Sequence, residues 1–86
     1  MLKQNLPPKL SKRVKKYLDG QDAKSQIRLT EGIKKIPEGD IIPYKEKSGY
    51  FRLRTGDWRI LYSWISDEQI YVATIDGRGQ VYKRGV

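Results

Sequence analysis

Residues 50–59, reading YFRLRTGDWR, decide the fold. In an extended strand successive side chains point to opposite faces, so Phe51 and Leu53 turn one way and Arg52 and Arg54 the other. Gly56-Asp57 reads as a tight turn and the run from Trp58 to Ile65 as a second strand. There Trp58, Ile60, Tyr62 and Trp64 share a face, leaving Arg59, Leu61 and Ser63 on the opposite one. Such a hairpin must cover its apolar face and can leave the other open. Alternation alone therefore gathers Arg52, Arg54 and Arg59 on one surface. Like charges at that spacing repel unless an anion or an acidic partner lies between them, so the segment predicts a phosphate site.

Downstream, Ile70 to Ile75 reads as a third strand behind the turn Ser66-Asp67-Glu68, and Val81 to Lys83 adds a short fourth. The tight turns predict an antiparallel meander. Upstream the period is helical. Leu10, Val14, Tyr17 and Leu18 form one stripe of a helix that begins after Pro7-Pro8 and closes at Asp19-Gly20. Gly20 suits the left-handed position past a helix end, and Asp22 can cap the next helix. That helix is expected over Ala23 to Ile36, where Pro37 stops it. Leu29, Ile33 and Ile36 lie at one edge of its apolar arc, Ala23 and Ile27 at the other. Gly32 costs about 1 kcal/mol relative to alanine, and a close approach to a strand would account for it. The expectation is an α+β domain spanning residues 1–86, a helical hairpin packed on a mainly antiparallel sheet of three to four strands.

Charge narrows the partner. The 86 residues hold 18 Lys and Arg against 10 Asp and Glu, a net charge of +8. The excess is concentrated, with six cations and one anion in residues 1–20 and five and two in residues 44–63. Two basic blocks argue for a surface that a polyanion or an acidic protein could follow. The run Lys12, Arg13, Lys15 and Lys16 reads either as a solvated helix face or as a nucleic-acid contact.

The chain has neither cysteine nor histidine, which excludes a disulfide framework, a thiolate metal site and the usual histidine-based triads and zinc hydrolases. No metal or small-molecule cofactor is expected. The opening MLKQNLPPKL lacks a signal-peptide apolar run, and nothing approaches the roughly 20 apolar residues of a membrane span. A cytoplasmic location without membrane contact is the default expectation.

The string YFRLRTGDWRILY, followed by an apolar strand and then DGRGQVYKR, resembles the central and C-terminal pattern of the RelE/ParE toxin superfamily of toxin-antitoxin systems. The polar turn after Leu18 and the helix ending in KKIPEGDI agree with the family's order, and the likeness covers roughly residues 9 to 84. The resemblance implies a small toxin with an acidic cognate antitoxin. In the RelE branch, which the pattern favours, such toxins cut mRNA on the ribosome without a metal; members resembling ParE poison DNA gyrase instead. RelE-like cleavage sends the RNA 2′-hydroxyl against the adjacent phosphate, and arginines suit the developing charge because guanidinium binds phosphate oxygens in bidentate fashion.

Residue by residue, the resemblance makes Arg59 the arginine that contacts the scissile phosphate, Arg78 the arginine of the C-terminal strand, and Tyr82 the tyrosine that stacks on a base or assists proton transfer. Arg52 and Tyr50 fall where that branch places lysines; Lys45 and Lys47 lie near enough to substitute, and Arg52 and Arg54 hold the RNA. Lys12, Arg13, Lys15 and Lys16 become candidate rRNA contacts. The chain departs from the pattern in an N-terminal strand shortened or lost around Pro7-Pro8, and in Gly77 and Gly79, which are expected to loosen the C-terminal loop. Plainer roles stand beside these. Arg52 and Arg54 can be the solvent side of a sheet, Arg59 can pair with Asp57 or Asp76, and Tyr82 can be a core aromatic, as Trp58, Tyr62 and Trp64 are. An mRNA endoribonuclease, a gyrase inhibitor and an inactive antitoxin- or nucleic-acid-binding relative all remain open.

Overall fold

The computed structural model describes residues 2–77. Chain order is β1 (Lys9–Leu10), α1 (Lys12–Asp19), α2 (Ala23–Lys34), β2 (Asp40–Pro43), β3 (Tyr50–Thr55), β4 (Trp58–Trp64) and β5 (Ile70–Gly77). The sheet runs β1-β5-β4-β3-β2, with β1 parallel to β5 and the other pairs antiparallel. It is the expected α+β arrangement, enlarged to five strands by two short edges. Val81 to Lys83 lies outside the described residues.

The helices cover one face. Val14, Leu29, Ile33 and Ile36 meet Leu53, Ile60, Tyr62, Ile70, Val72 and Ile75 in a single buried cluster. Trp58, Trp64 and Phe51 pack against it from its margins, as alternation predicts. Burial pushes the Tyr62 phenol up to about 12, which keeps it neutral at the sheet's centre. Truncating any fully buried aliphatic residue here, such as Ile60, would cost about 2 to 5 kcal/mol.

Several boundaries differ from the sequence reading, each for a local reason. Leu10 belongs to β1 rather than to α1, because Pro8 hands on an extended chain and Ser11 caps the helix behind it. The Ser11 hydroxyl accepts from the Val14 amide at 3.1 Å and donates to the Ala73 carbonyl at 2.8 Å, so one side chain starts the helix and fastens it to β5. Gly20 is right-handed at φ −84° and its backbone amide donates to the Lys16 and Tyr17 carbonyls, both at 3.2 Å, while the Gln26 side-chain amide donates to the Leu18 carbonyl at 2.7 Å. Asp22 does stand at the N-cap of α2, its carboxyl held below the usual range by Ser25, although its side chain closes no cap hydrogen bond. α2 ends at Lys34, short of Ile36, where the Gln4 amide donates to the carbonyls of Ile33 and Ile36 at 2.7 and 2.9 Å. Ala23 and Ile27 are exposed, so the buried stripe of α2 is narrower than its apolar arc. Gly32 approaches β3: a Cβ there would lie 3.3 Å from Thr55 Cγ2. No helix among the described residues is long and apolar enough to cross a membrane.

Candidate functional site

The hairpin of β3 and β4 turns at Gly56, whose φ of +56° is the left-handed backbone that a two-residue loop demands of its first member. Pairing Thr55 with Trp58 across that loop fixes the register of everything behind it. Arg54 then faces Arg59, and Arg52 faces Leu61. The adjoining strands extend both rows over the open face. One row reads Asp40, Arg54, Arg59, Asp76; the other reads Ile42, Arg52, Leu61, Thr74.

These rows separate the three arginines. Arg54 and Arg59 are exposed neighbours with a carboxylate beyond each of them, so their mutual repulsion is offset within the protein. Arg52 has apolar residues on both sides and is half-buried. Its Nε is buried without a hydrogen-bond partner among the described residues, and leaving such a donor unsatisfied costs about 1 to 3 kcal/mol. Among the described residues Arg52 is thus the arginine with a buried, unsatisfied donor.

A cavity of about 330 Å³ opens at this point. Arg52, Arg59 and Lys45 supply its positive charge, Glu46 and Asp76 its negative charge. Tyr44 and the apolar side chains of Ile42, Pro43 and Leu61 wall it. The arrangement suits a phosphate with a flat or apolar group attached, since guanidinium and ammonium can share the anionic oxygens while the wall takes the remainder. No cluster of potential metal ligands exists among the described residues.

The sequence candidates divide accordingly. Arg52, Arg59 and Lys45 converge in the cavity; Arg54 stands beside it without lining it. Lys47 is drawn off, its Nζ 4.5 Å from the centre of the Tyr50 ring. Lys12, Arg13, Lys15 and Lys16 are exposed on α1, in the layer behind the sheet, so the two basic blocks form separate surfaces rather than one continuous track. Arg78 and Tyr82 lie outside the described residues, as does Gly79. Gly77, expected to loosen a loop, is instead the buried last residue of β5, paired with Trp58. Glu46, Tyr44 and Asp40 went unnoticed as site residues. Once β2 is known, alternation places Asp40 on the arginine face, but the turn that carries Tyr44 and Glu46 has no such periodicity.

No protein-family model matches the chain, and no curated relative does. Solved structures do. The RelB-RelE antitoxin-toxin complex from Methanococcus jannaschii contains a chain that is 20% identical, with a TM-score of 0.66, over 88% of this chain and 96% of that one. The archaeal RelE-RelB complex from Pyrococcus horikoshii OT3 gives 24% identity and a TM-score of 0.67 over 93% and 99%. At these identities the likeness is one of fold, and it spans nearly the whole of both chains.

Proposed function

We propose that this chain, which folds as chains of RelB-RelE complexes do, is the toxin of a toxin-antitoxin pair and a ribosome-dependent endoribonuclease that cuts mRNA and thereby stops translation. The observation that carries the reading is the orphaned Nε of Arg52 in a cavity shared with Arg59 and Lys45. A half-buried guanidinium held unsatisfied is preorganised for an anion, and preorganised charge at the reacting phosphate is usually the largest catalytic term. An RNA phosphate fits that demand. Attack by the neighbouring 2′-hydroxyl builds extra negative charge on the phosphate oxygens, which Arg52 and Arg59 would share.

Both structural neighbours were solved as complexes with an antitoxin, and a net charge of +8 calls for an acidic one here. Such a partner would silence the toxin by covering the arginine face or by displacing the C-terminal segment. The basic face of α1 would meet ribosomal RNA while the sheet face meets the message. The proposed action on ribosomes would require a cytoplasmic location.

The test is induction in cells followed by primer extension on translated and untranslated messages. Growth arrest with cuts confined to translated mRNA is the expected outcome, relieved by co-expression of the acidic product of an adjacent reading frame. Intact message with a DNA-damage response would replace this reading by gyrase inhibition. Unimpaired growth would mark the chain as an inactive relative.

A further inference from the structure

The cations of the cavity account for the phosphate and leave the proton of the attacking hydroxyl without a destination. Arginine stays protonated at any pH where RNA is handled, its pKa lying above about 12, and an ordinary lysine is an ammonium there. Among the described residues that line the cavity two carboxylates remain, and they differ in placement. Glu46 hangs from the turn between β2 and β3. Asp76 stands on β5 directly opposite Arg59 and on the same face, where opposed Cβ atoms are about 4.5 to 5.5 Å apart. It is exposed to solvent and lines the same cavity as Arg52.

We propose that Asp76 is the proton acceptor of the cleavage step, a catalytic residue that takes the 2′-hydroxyl proton while Arg52 and Arg59 hold the phosphate. The assignment rests on the endoribonuclease reading above. The 2′-oxygen forms its bond to phosphorus as its proton passes to the Asp76 carboxylate. The bond from phosphorus to the 5′-oxygen breaks, and the electron pair leaves on that oxygen, which takes a proton from water. The resulting hydroxide recovers the proton from Asp76, so the products are a 2′,3′-cyclic phosphate and a free 5′-hydroxyl. The groups that set the field at Asp76 are Arg59 from β4, Arg52 from β3, Lys45 and Glu46 from the turn, and Tyr17 from α1. Cations outnumber anions in that set.

The experiment is single-turnover cleavage of a defined mRNA on programmed ribosomes at saturating protein, with affinity measured separately by titration. Asp76→Asn should lower the cleavage rate by about 10²-fold or more, with affinity unchanged or tightened, since a negative charge beside the phosphate is lost. Asp76→Glu, which keeps the carboxylate, should restore much of the rate, and Glu46→Gln should lower it far less than Asp76→Asn does. In the unaltered protein, a tenfold rise in rate per pH unit between about pH 6 and 8 would point to an amine base and overturn the assignment. A normal rate in Asp76→Asn, a loss of affinity matching its loss of rate, or a loss of rate in Glu46→Gln as large as that in Asp76→Asn would each overturn the assignment. An unaltered protein that cuts nothing overturns the endoribonuclease reading itself; one that cuts normally beside an equally active Asp76→Asn removes Asp76 alone.

Discussion

Arg52 holds a charge where the fold would be better served by a hydrocarbon. Its stem lies between Ile42 and Leu61, and its Nε has lost water without gaining a partner among the described residues. Arg52→Met keeps the length and removes the unsatisfied donor, so it should raise stability by about 1 kcal/mol. In a domain this small that is a rise of about 4 to 8 °C in the thermal midpoint. The same substitution should reduce mRNA cleavage by about 10² to 10³-fold, the effect of losing one preorganised donor. Thermal melts and ribosome cleavage assays on one variant would read both effects, and a loss of both stability and activity would contradict the account. Arg54→Met, with Asp40 and Arg59 as its row neighbours, should change cleavage far less. The arginine face was legible in YFRLRTGDWR because alternation along a strand is a property of that strand alone. Which arginine is left unsatisfied was not, because that depends on Ile42 and Leu61, neighbours supplied by the register of other strands.

Among the elements, β3 and β4 could be read from sequence because each is long enough to show two or three alternations. The edges could not. β1 has two residues and β2 four with a terminal proline, too few for any period to declare itself, and only pairing with β5 and β3 makes them strands. The contact of α2 with β3 was signalled by Gly32, and its energetics can be checked. Alanine there should gain about 1 kcal/mol in helix propensity, but its Cβ would meet Thr55 Cγ2 at 3.3 Å, so Gly32→Ala alone should gain little. In a Thr55→Ser background, which removes that methyl, the gain should reappear. Denaturant midpoints of the double-mutant cycle would show a coupling energy near zero if the approach is not what disfavours a side chain.

For the molecule as a whole, two layers separate two basic surfaces, the sheet face with its cavity and the outer face of α1. A short single strand of RNA can occupy only the first, whereas a large particle can embrace both. Replacing Lys12, Arg13, Lys15 and Lys16 together by glutamine should weaken ribosome binding about tenfold or more and flatten its salt dependence, with binding of a short oligonucleotide to the sheet face unaltered. Equal losses in the two titrations would mean that the layers do not divide the work. Between Tyr62, paired with Val72, and Leu61, paired with Thr74, the ladder skips Ala73, whose carbonyl is held by Ser11. The skip is why Ile70, Val72 and Ile75 can all be buried although their spacing is uneven, and why Asp76 emerges beside Arg59 rather than inside the core. Deleting Ala73 would let the strands close into an uninterrupted ladder with every partner beyond it still on its present face. The sheet thus carries one residue of slack, held by the amide and hydroxyl of Ser11, at a point where a deletion can be absorbed without inverting the strand.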